Sequence, residues 1–187
     1  MPRRRYIFDP PERFVAGTVG EPGDRTFFLQ ARDGGRVTSV VIEKVQVAVL
    51  ADRLNRLLDE LEQRGVSEPI AAETNDVEPL DEPIVEAFRA GTLTLGWDGS
   101  TDRILVEARA RAEDDEEEEI EPDEVLDDEA EDGPDILRVR LTTPAARAFV
   151  ERAVRVIGSG RLPCPLCGQP LDPQGHICPR RNGHYVN

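Results

Sequence analysis

Residues 13–65 read RFVAGTVGEPGDRTFFLQARDGGRVTSVVIEKVQVAVLADRLNRLLDELEQRG. Three short runs rich in β-branched and aromatic residues come first, and turns containing Gly, Pro and Asp separate them. Such runs predict strands joined by hairpins, at Val15–Val19, Thr26–Ala31 and Val37–Ile42. Across Glu43–Arg64 the apolar residues then recur at spacings of three and four, and a glycine follows. The stretch therefore predicts a three-stranded antiparallel unit covered by one amphipathic helix.

The second half of the chain repeats this succession. FVAGT at 14–18 recurs as FRAGT at 88–92, and TFFLQAR at 26–32 recurs as RILVEAR at 103–109. Two matches in the same order predict duplication of a unit of three strands and a helix. The second copy is expected to contain these elements: strands at Thr92–Trp97, Arg103–Arg109 and Ile136–Leu141, then a helix that Thr143 caps, that has Pro144 at its first position and that ends before Gly158.

The expected fold class is α+β. Two tandem β-β-β-α repeats would form a largely antiparallel sheet layer with covering helices, preceded by a strand at Tyr6–Phe8. A short helix is also expected at Asp81–Ala90, between the copies. The expected divisions are 1–66 for the first repeat, 67–82 for a linker, 83–158 for the second repeat and 159–187 for a small tail.

A strongly acidic run occupies residues 113–135, inside the second repeat. It contains sixteen Asp or Glu and no Lys or Arg, so without it the formal net charge of −15 becomes +1. Because such a run repels itself and has few apolar groups to bury, we expect it to be disordered. One interpretation is a solvated loop. The other is a tether that screens a basic surface or docks on an Arg-rich partner, with Ile120, Val125 and Leu126 as anchors.

All cysteines and histidines of the chain lie in its last 24 residues, as Cys164, Cys167, His176, Cys178 and His184. Three sulfurs and one imidazole satisfy the tetrahedral preference of Zn²⁺, and Cys-x-x-Cys is typical of a zinc knuckle or ribbon-like tail. His176 would give the spacing Cys-x2-Cys-x8-His-x-Cys, and His184 would give Cys-x2-Cys-x10-Cys-x5-His. The compact set with His176 is preferred, and His184 stays the alternative. Four protein ligands would make the zinc site structural.

Two other interpretations of the cysteines are weaker. Three is an odd number and no secretory signal precedes them, which disfavours a disulfide framework and favours a reducing compartment. A catalytic Cys-His pair would need an unmetallated thiol and an orienting third residue, which no spacing here supplies. The longest apolar stretch, Val45–Ala51, is too short to span a membrane. The expected location is therefore the cytoplasm.

Enzyme motifs such as a Gly-rich phosphate loop or a Gly-x-Ser-x-Gly elbow are missing from the sequence. Catalysis or ligand binding would have to depend on carboxylates and arginines in a polar cleft between the repeats. The candidate cleft residues are Asp9, Glu12, Arg13, Arg25, Arg32, Arg103 and Arg109. Nucleic-acid binding by the arginines near the tail is disfavoured because no aromatic residues interleave with them.

Three segments of the chain carry a family resemblance: YIFDPPERFVAGTVGEPGDRTFFLQAR at 6–32, EKVQVAVLADRL at 43–54 and CPLCGQPLDPQGHICPRRNG at 164–183. They resemble a bacterial family known as Domain of Unknown Function 3090. The resemblance implies no activity. It implies a shared pathway with a lipid-kinase-like protein and a histidine-phosphatase-like protein, which would be the partners. It also implies His176 as the fourth ligand, because His-x-Cys is regular in the family and the position of His184 is often aromatic.

Two functions are therefore open. The first is a non-catalytic adaptor whose body and zinc tail bind partner proteins, and it predicts a hydrophobic or Arg-rich surface. The second is an enzyme or small-ligand-binding protein that uses the cleft between the repeats, and it predicts convergent Asp, Glu and Arg from both copies. Nucleic-acid binding through the zinc tail is a third, weaker option.

Overall fold

The computed structural model describes residues 3–66, 75–111, 132–160, 164–167, 171 and 178. Within these ranges the chain forms seven strands and two helices. The strands are β1 (Arg5–Phe8), β2 (Arg13–Val19), β3 (Thr26–Asp33), β4 (Arg36–Ile42), β5 (Glu86–Asp98), β6 (Arg103–Ala110) and β7 (Ile136–Leu141). The helices are α1 (Lys44–Gln63) and α2 (Thr143–Gly158).

The strands form one mixed sheet in the order β1-β7-β6-β5-β4-β3-β2. Four neighbouring pairs are antiparallel, as their hairpin connections require. The pairs β4–β5 and β1–β7 are parallel, so each must be joined by a longer connection. The predicted α+β class is confirmed. Three antiparallel strands followed by a helix occur twice, and the duplication itself stays a prediction.

Both helices contribute to a core on one face of the sheet. Side chains alternate between the two faces of a strand, so Phe14 and Ala16 of β2 face this core. The ring of Phe14 stacks on Phe149 of α2 with 4.8 Å between the centroids. The helices bury most of the apolar stripes that their spacing predicted: Val47, Leu50, Leu54, Leu58 and Leu61 in α1, and Ala146, Phe149, Val150 and Ala153 in α2. Leu57 and Ile157 of the predicted stripes are half-buried and pack against the same core.

Residues 75–85, which we call the strap, cover the opposite face of strands β2, β3 and β4. Leu80 packs there with Val15, Phe28 and Val41. Gly17 of β2 lies directly under Leu80, since a Cβ atom at this glycine would stand 2.5 Å from Cδ2 of Leu80. The strap therefore lies closer to the backbone of the edge strand β2 than it could if residue 17 had a side chain.

The predicted helix at Asp81–Ala90 is wrong. The segment instead leads into β5, which begins at Glu86 and buries Phe88 and Ala90 in the core. Parallel pairing of β5 with β4 decides this conformation, and a sequence reading of local spacing cannot detect such a partner.

The N-cap of α2 also differs from the prediction by one residue. Thr142 has an extended backbone conformation, and its Oγ1 accepts a hydrogen bond of 3.3 Å from the backbone N–H of Ala145. Thr143 is the first helical residue, with Pro144 in the first turn, so the predicted cap was placed one position too late.

Residues 112–131 lie outside the described ranges, so the predicted disorder of the acidic run and its three apolar anchors are not tested. In the part of the chain that is described, neither helix is long and apolar enough to cross a membrane.

Candidate functional site

Cys164, Cys167 and Cys178 lie together, as their spacing predicted. Their three Sγ atoms are all within 4.8 Å of one another, and 3.9 Å separates Sγ of Cys164 from Sγ of Cys178. With Zn–S bonds of about 2.3 Å, tetrahedral geometry places two sulfurs about 3.8 Å apart. Cys164 and Cys178 are buried, whereas Cys167 is half-buried. The three cysteines can therefore hold a metal ion.

The turn between the first two cysteines prepares Cys164 to act as a ligand. The backbone N–H groups of Cys167 and then Leu166 donate to its sulfur and lower the pKa of the Cys164 thiol to about 6. A thiol with this pKa is mostly thiolate at neutral pH, and thiolate is the form that binds metals. Leu166 itself is 52% exposed. His176 and His184 lie outside the described residues, so the fourth ligand stays a prediction.

A second cluster of polar side chains joins the edge strand β2 to the strap. Nε of Arg13 lies 2.6 Å from Oδ2 of Asp76, and Nη1 of Arg13 lies 2.8 Å from Oδ2 of Asp81. Arg152 of α2 contacts Oδ1 of Asp76 at 2.6 Å, and Arg32 of β3 contacts Oδ1 of Asp81 at 2.6 Å. Each carboxylate therefore bridges two guanidinium groups. We call these five residues the arginine clasp.

The pKa values of the clasp follow from these contacts. The hydrogen bond from Arg13 is the largest influence on Asp76 and lowers the pKa of its carboxyl group. Burial acts to raise the pKa of Asp81, but hydrogen bonds from Arg13 and Arg32 outweigh it, and the net shift is downward. Both carboxylates are therefore ionised at neutral pH, which does not suit a general acid or base working near pH 7.

The clasp fastens the strap. Nη2 of Arg13 donates to the carbonyl oxygens of Glu78 and Pro79, both at 3.0 Å. The side-chain amide of Gln30 donates to the carbonyl of Asp81 at 3.0 Å and accepts from its N–H at 2.7 Å. A cavity of about 420 Å³ lies beside the clasp. Most of the charged groups that line it are paired with one another, so the cluster is suited to holding the chain in place.

Comparison with known protein families assigns this chain to one of them. Residues 6–178 match the family described as Protein of unknown function (DUF3090). The chain belongs to the DUF3090 family. The match confirms the resemblance seen in the sequence and includes all three cysteines, and it brings no activity. No match was found among curated proteins or solved structures.

The structure of this DUF3090 protein brings together three of the seven candidate cleft residues. Glu12, Arg13 and Arg32 meet at the clasp, where Oε2 of Glu12 lies 3.7 Å from Nε of Arg32. The other four have separate partners: Asp9 lies 3.2 Å from Arg140, Arg25 donates to Ser159, Arg103 donates to the carbonyls of Thr101 and Asp102, and Arg109 donates to Glu107.

Sequence reasoning missed three members of the clasp. Asp76 lies in the predicted linker, and Asp81 lies where that linker was expected to meet a short helix. No spacing marks either of them as a partner of Arg13. The role of Arg152, by contrast, could have been predicted from the sequence. Arg152 lies three residues after Phe149, on the buried stripe of α2, and an arginine at such a position needs a partner.

A pair of buried charges on β6 and β7 was also missed. Glu107 lies opposite Arg138 in the sheet register, and Oε2 of Glu107 is 2.7 Å from a guanidinium nitrogen of Arg138. In the first unit Gln30 lies opposite Ser39 and donates to its hydroxyl at 3.0 Å. The two pairs occupy matching places in the predicted repeats, and a polar residue at the centre of an apolar strand was the available signal.

Proposed function

We propose that this DUF3090 protein is a structural zinc protein with Cys164, Cys167, Cys178 and His176 as its four ligands. The sulfur–sulfur distance of 3.9 Å, close to that of a tetrahedral zinc site, carries the proposal. Because four protein ligands leave no coordination position for a substrate, the metal acts by ordering the tail, which is too small to build a core of its own.

Cobalt(II) substitution tests the ligand set. Three thiolates and one imidazole in a tetrahedron give Co²⁺ strong visible absorption and a thiolate charge-transfer band in the near ultraviolet. We expect both in the wild type and a weaker charge-transfer band in Cys178→Ser. A weak octahedral spectrum, or a band of unchanged strength in Cys178→Ser, would contradict the proposal.

We infer that the two β-β-β-α units are repeats of one another. The matching cross-strand pairs Gln30–Ser39 and Glu107–Arg138 support this inference, because both place buried polar groups at the same point of the unit. A body built in this way offers two similar faces for contact with other proteins.

We further propose that the protein is a cytoplasmic adaptor that binds partner proteins rather than an enzyme. The ionised and mutually paired clasp supports this role, since its groups are occupied in holding the strap. Leu166 supports it as well. It stands between two ligands on the metal-ordered turn and exposes an apolar side chain that a partner can bury.

The partners we propose are the lipid-kinase-like and histidine-phosphatase-like proteins that the family resemblance implies. Co-expression of the full chain with each, followed by size-exclusion chromatography, tests the proposal. We expect a complex with one of them, weakened by Leu166→Ser but not by Val154→Ser, a matched change at an exposed valine of α2. No complex with either protein, or equal effects of the two variants, would contradict the adaptor role and leave the zinc proposal standing.

A further inference from the structure

A cavity of about 650 Å³ lies where β4 leads into α1 and where α2 ends. Its wall comes from the β2–β3 turn, the β4–α1 junction, β5, the last residues of α2 and Gly160. Small-molecule sites in proteins have volumes of about 300–1,000 Å³, so this cavity is large enough for a metabolite. None of the described residues that line it belongs to the cysteine cluster or to the arginine clasp.

The charged groups of this wall are mainly cationic. Arg25, Lys44 and Arg89 come from three different segments, and Glu43 is the one carboxylate among the described residues that line the cavity. The described part of the wall therefore carries a net charge of +2, in a chain whose total charge is −15. Such a concentration of positive charge attracts a multivalent anion.

Two of the three cations, Arg25 and Lys44, have N–H groups that a ligand in the cavity can contact. Nη2 of Arg25 donates to the carbonyl of Ser159 at 2.7 Å and Nη1 donates to its hydroxyl at 3.2 Å, which fixes the guanidinium and leaves its other N–H groups for a ligand. Lys44 is the only lysine of the chain. In the ranges that the structure describes, its ammonium group has no ion pair or hydrogen bond.

The third cation has a weak partner. Nη1 of Arg89 lies 3.3 Å from Oε1 of Glu43, and these side chains are 50% and 64% exposed. An exposed pair of this kind contributes little, so an incoming anion can displace Glu43 from Arg89. The N-terminus of α1 also lies here, where Glu43 and Gln46 form a capping box, and the helix dipole adds to the positive potential.

Apolar residues complete the wall. Phe27, Ile42 and Ile157 line the cavity beside the cations, and Phe27 and Ile42 also belong to the core. A ligand that matches both the cationic and the apolar part of the wall has a doubly charged anionic group and an apolar body. We infer that the cavity binds a small phosphate monoester, with the phosphate between Lys44, Arg25 and Arg89 and the organic part against the apolar side chains.

Calorimetric titration of the full chain with phenyl phosphate tests this inference. We expect saturable binding that weakens about tenfold in Lys44→Gln and in Arg89→Gln, because each loses a charge-assisted hydrogen bond. Arg56→Gln is the matched control, since Arg56 lies on the same helix and forms an exposed pair with Asp52. We expect Glu43→Gln to bind more tightly, because the competing carboxylate is removed.

Benzyl alcohol and inorganic phosphate provide the comparison ligands. We expect both to bind more weakly than phenyl phosphate, because each lacks one of the two matching parts. Absence of phenyl phosphate binding, or an equal loss in Arg56→Gln and Lys44→Gln, would overturn the site. Equal binding of inorganic phosphate would overturn the assignment of an organic ligand.

Discussion

Asp76 shows how much of this fold depends on single residues. Its carboxylate bridges Arg13 and Arg152, whose side chains are 10% and 8% exposed. Arg152 also donates to the carbonyl of Ala16 at 2.9 Å, so the same arginine ties α2 to the edge strand. Removing the charge of Asp76 leaves two nearly buried guanidinium groups without their shared counter-ion.

We predict that Asp76→Asn lowers the free energy of unfolding by about 2–4 kcal/mol, because a largely buried charge loses its partner. Urea denaturation followed by circular dichroism measures the change. Asp52→Asn is the control, since Asp52 pairs with Arg56 on the exposed side of α1 and should cost less than about 1 kcal/mol. Equal losses in the two variants would contradict the structural role of the clasp.

The clasp also predicts how stability depends on pH. The pKa values of Asp76 and Asp81 are lowered in the folded protein by their arginine partners, after the opposing effect of burial. Their contribution is therefore complete above the unfolded-state pKa of about 3.9 and is lost as the pH falls through the folded-state values. We expect the melting temperature of the wild type to fall with acid below about pH 4 and to fall less steeply in Asp76→Asn/Asp81→Asn. Identical slopes in a differential scanning calorimetry series would contradict this.

At the residue scale, the sequence allowed prediction of the cysteine cluster and not of the clasp. Cys164 and Cys167 are three positions apart, so their proximity is a local property of the chain. Arg13 and Asp76 are 63 positions apart, and only the strap brings them together. Local spacing carries information about the first kind of contact alone.

At the scale of elements, the strap and the edge strand fit each other through Gly17 and Leu80. A Cβ atom at Gly17 would lie 2.5 Å from Cδ2 and 2.6 Å from Cγ of Leu80, so the leucine would have to move as a whole. Gly96 of β5 differs. A Cβ atom there meets only Cβ of Leu105, at 4.0 Å, which is ordinary contact.

We predict that Gly17→Ala lowers the free energy of unfolding by about 1–3 kcal/mol through overpacking, whereas Gly96→Ala has little effect. Thermal unfolding of both variants measures the difference. Leu80→Ala should be less costly in the Gly17→Ala background than alone, because it removes the clash. Additive losses in the double variant would show that the strap does not pack on Gly17 as described.

The elements themselves were largely predictable, and the one element whose type was predicted wrongly depends on a tertiary contact. All seven strands and both helices appear near the expected positions, because alternation and helical spacing are local patterns. The segment at Asp81–Ala90 failed because its strand conformation comes from pairing with β4. The apolar residues of this segment fit both the helical period of about 3.6 residues and the strand period of 2. A tertiary contact decides between the two conformations.

At the scale of the whole molecule, hairpins could be predicted and the strand order could not. The parallel pairs β1–β7 and β4–β5 set that order. In the first of them Arg5 pairs with Ile136, so the two paired residues are separated by most of the length of the sequence. The resulting sheet carries one core beneath two helices, a strap on its other face and three cysteines beyond α2. We propose that these cysteines and His176 form a closed zinc site that orders the tail.

The most direct test of that claim is the metal content per chain of protein purified without chelator, measured by elemental analysis. His176→Ala and His184→Ala are measured alongside as matched variants. We predict about one zinc per chain in the wild type and in His184→Ala, and loss of zinc in His176→Ala, as expected for a four-ligand site. Absence of bound metal, iron in place of zinc, or loss of zinc only in His184→Ala would contradict this zinc site.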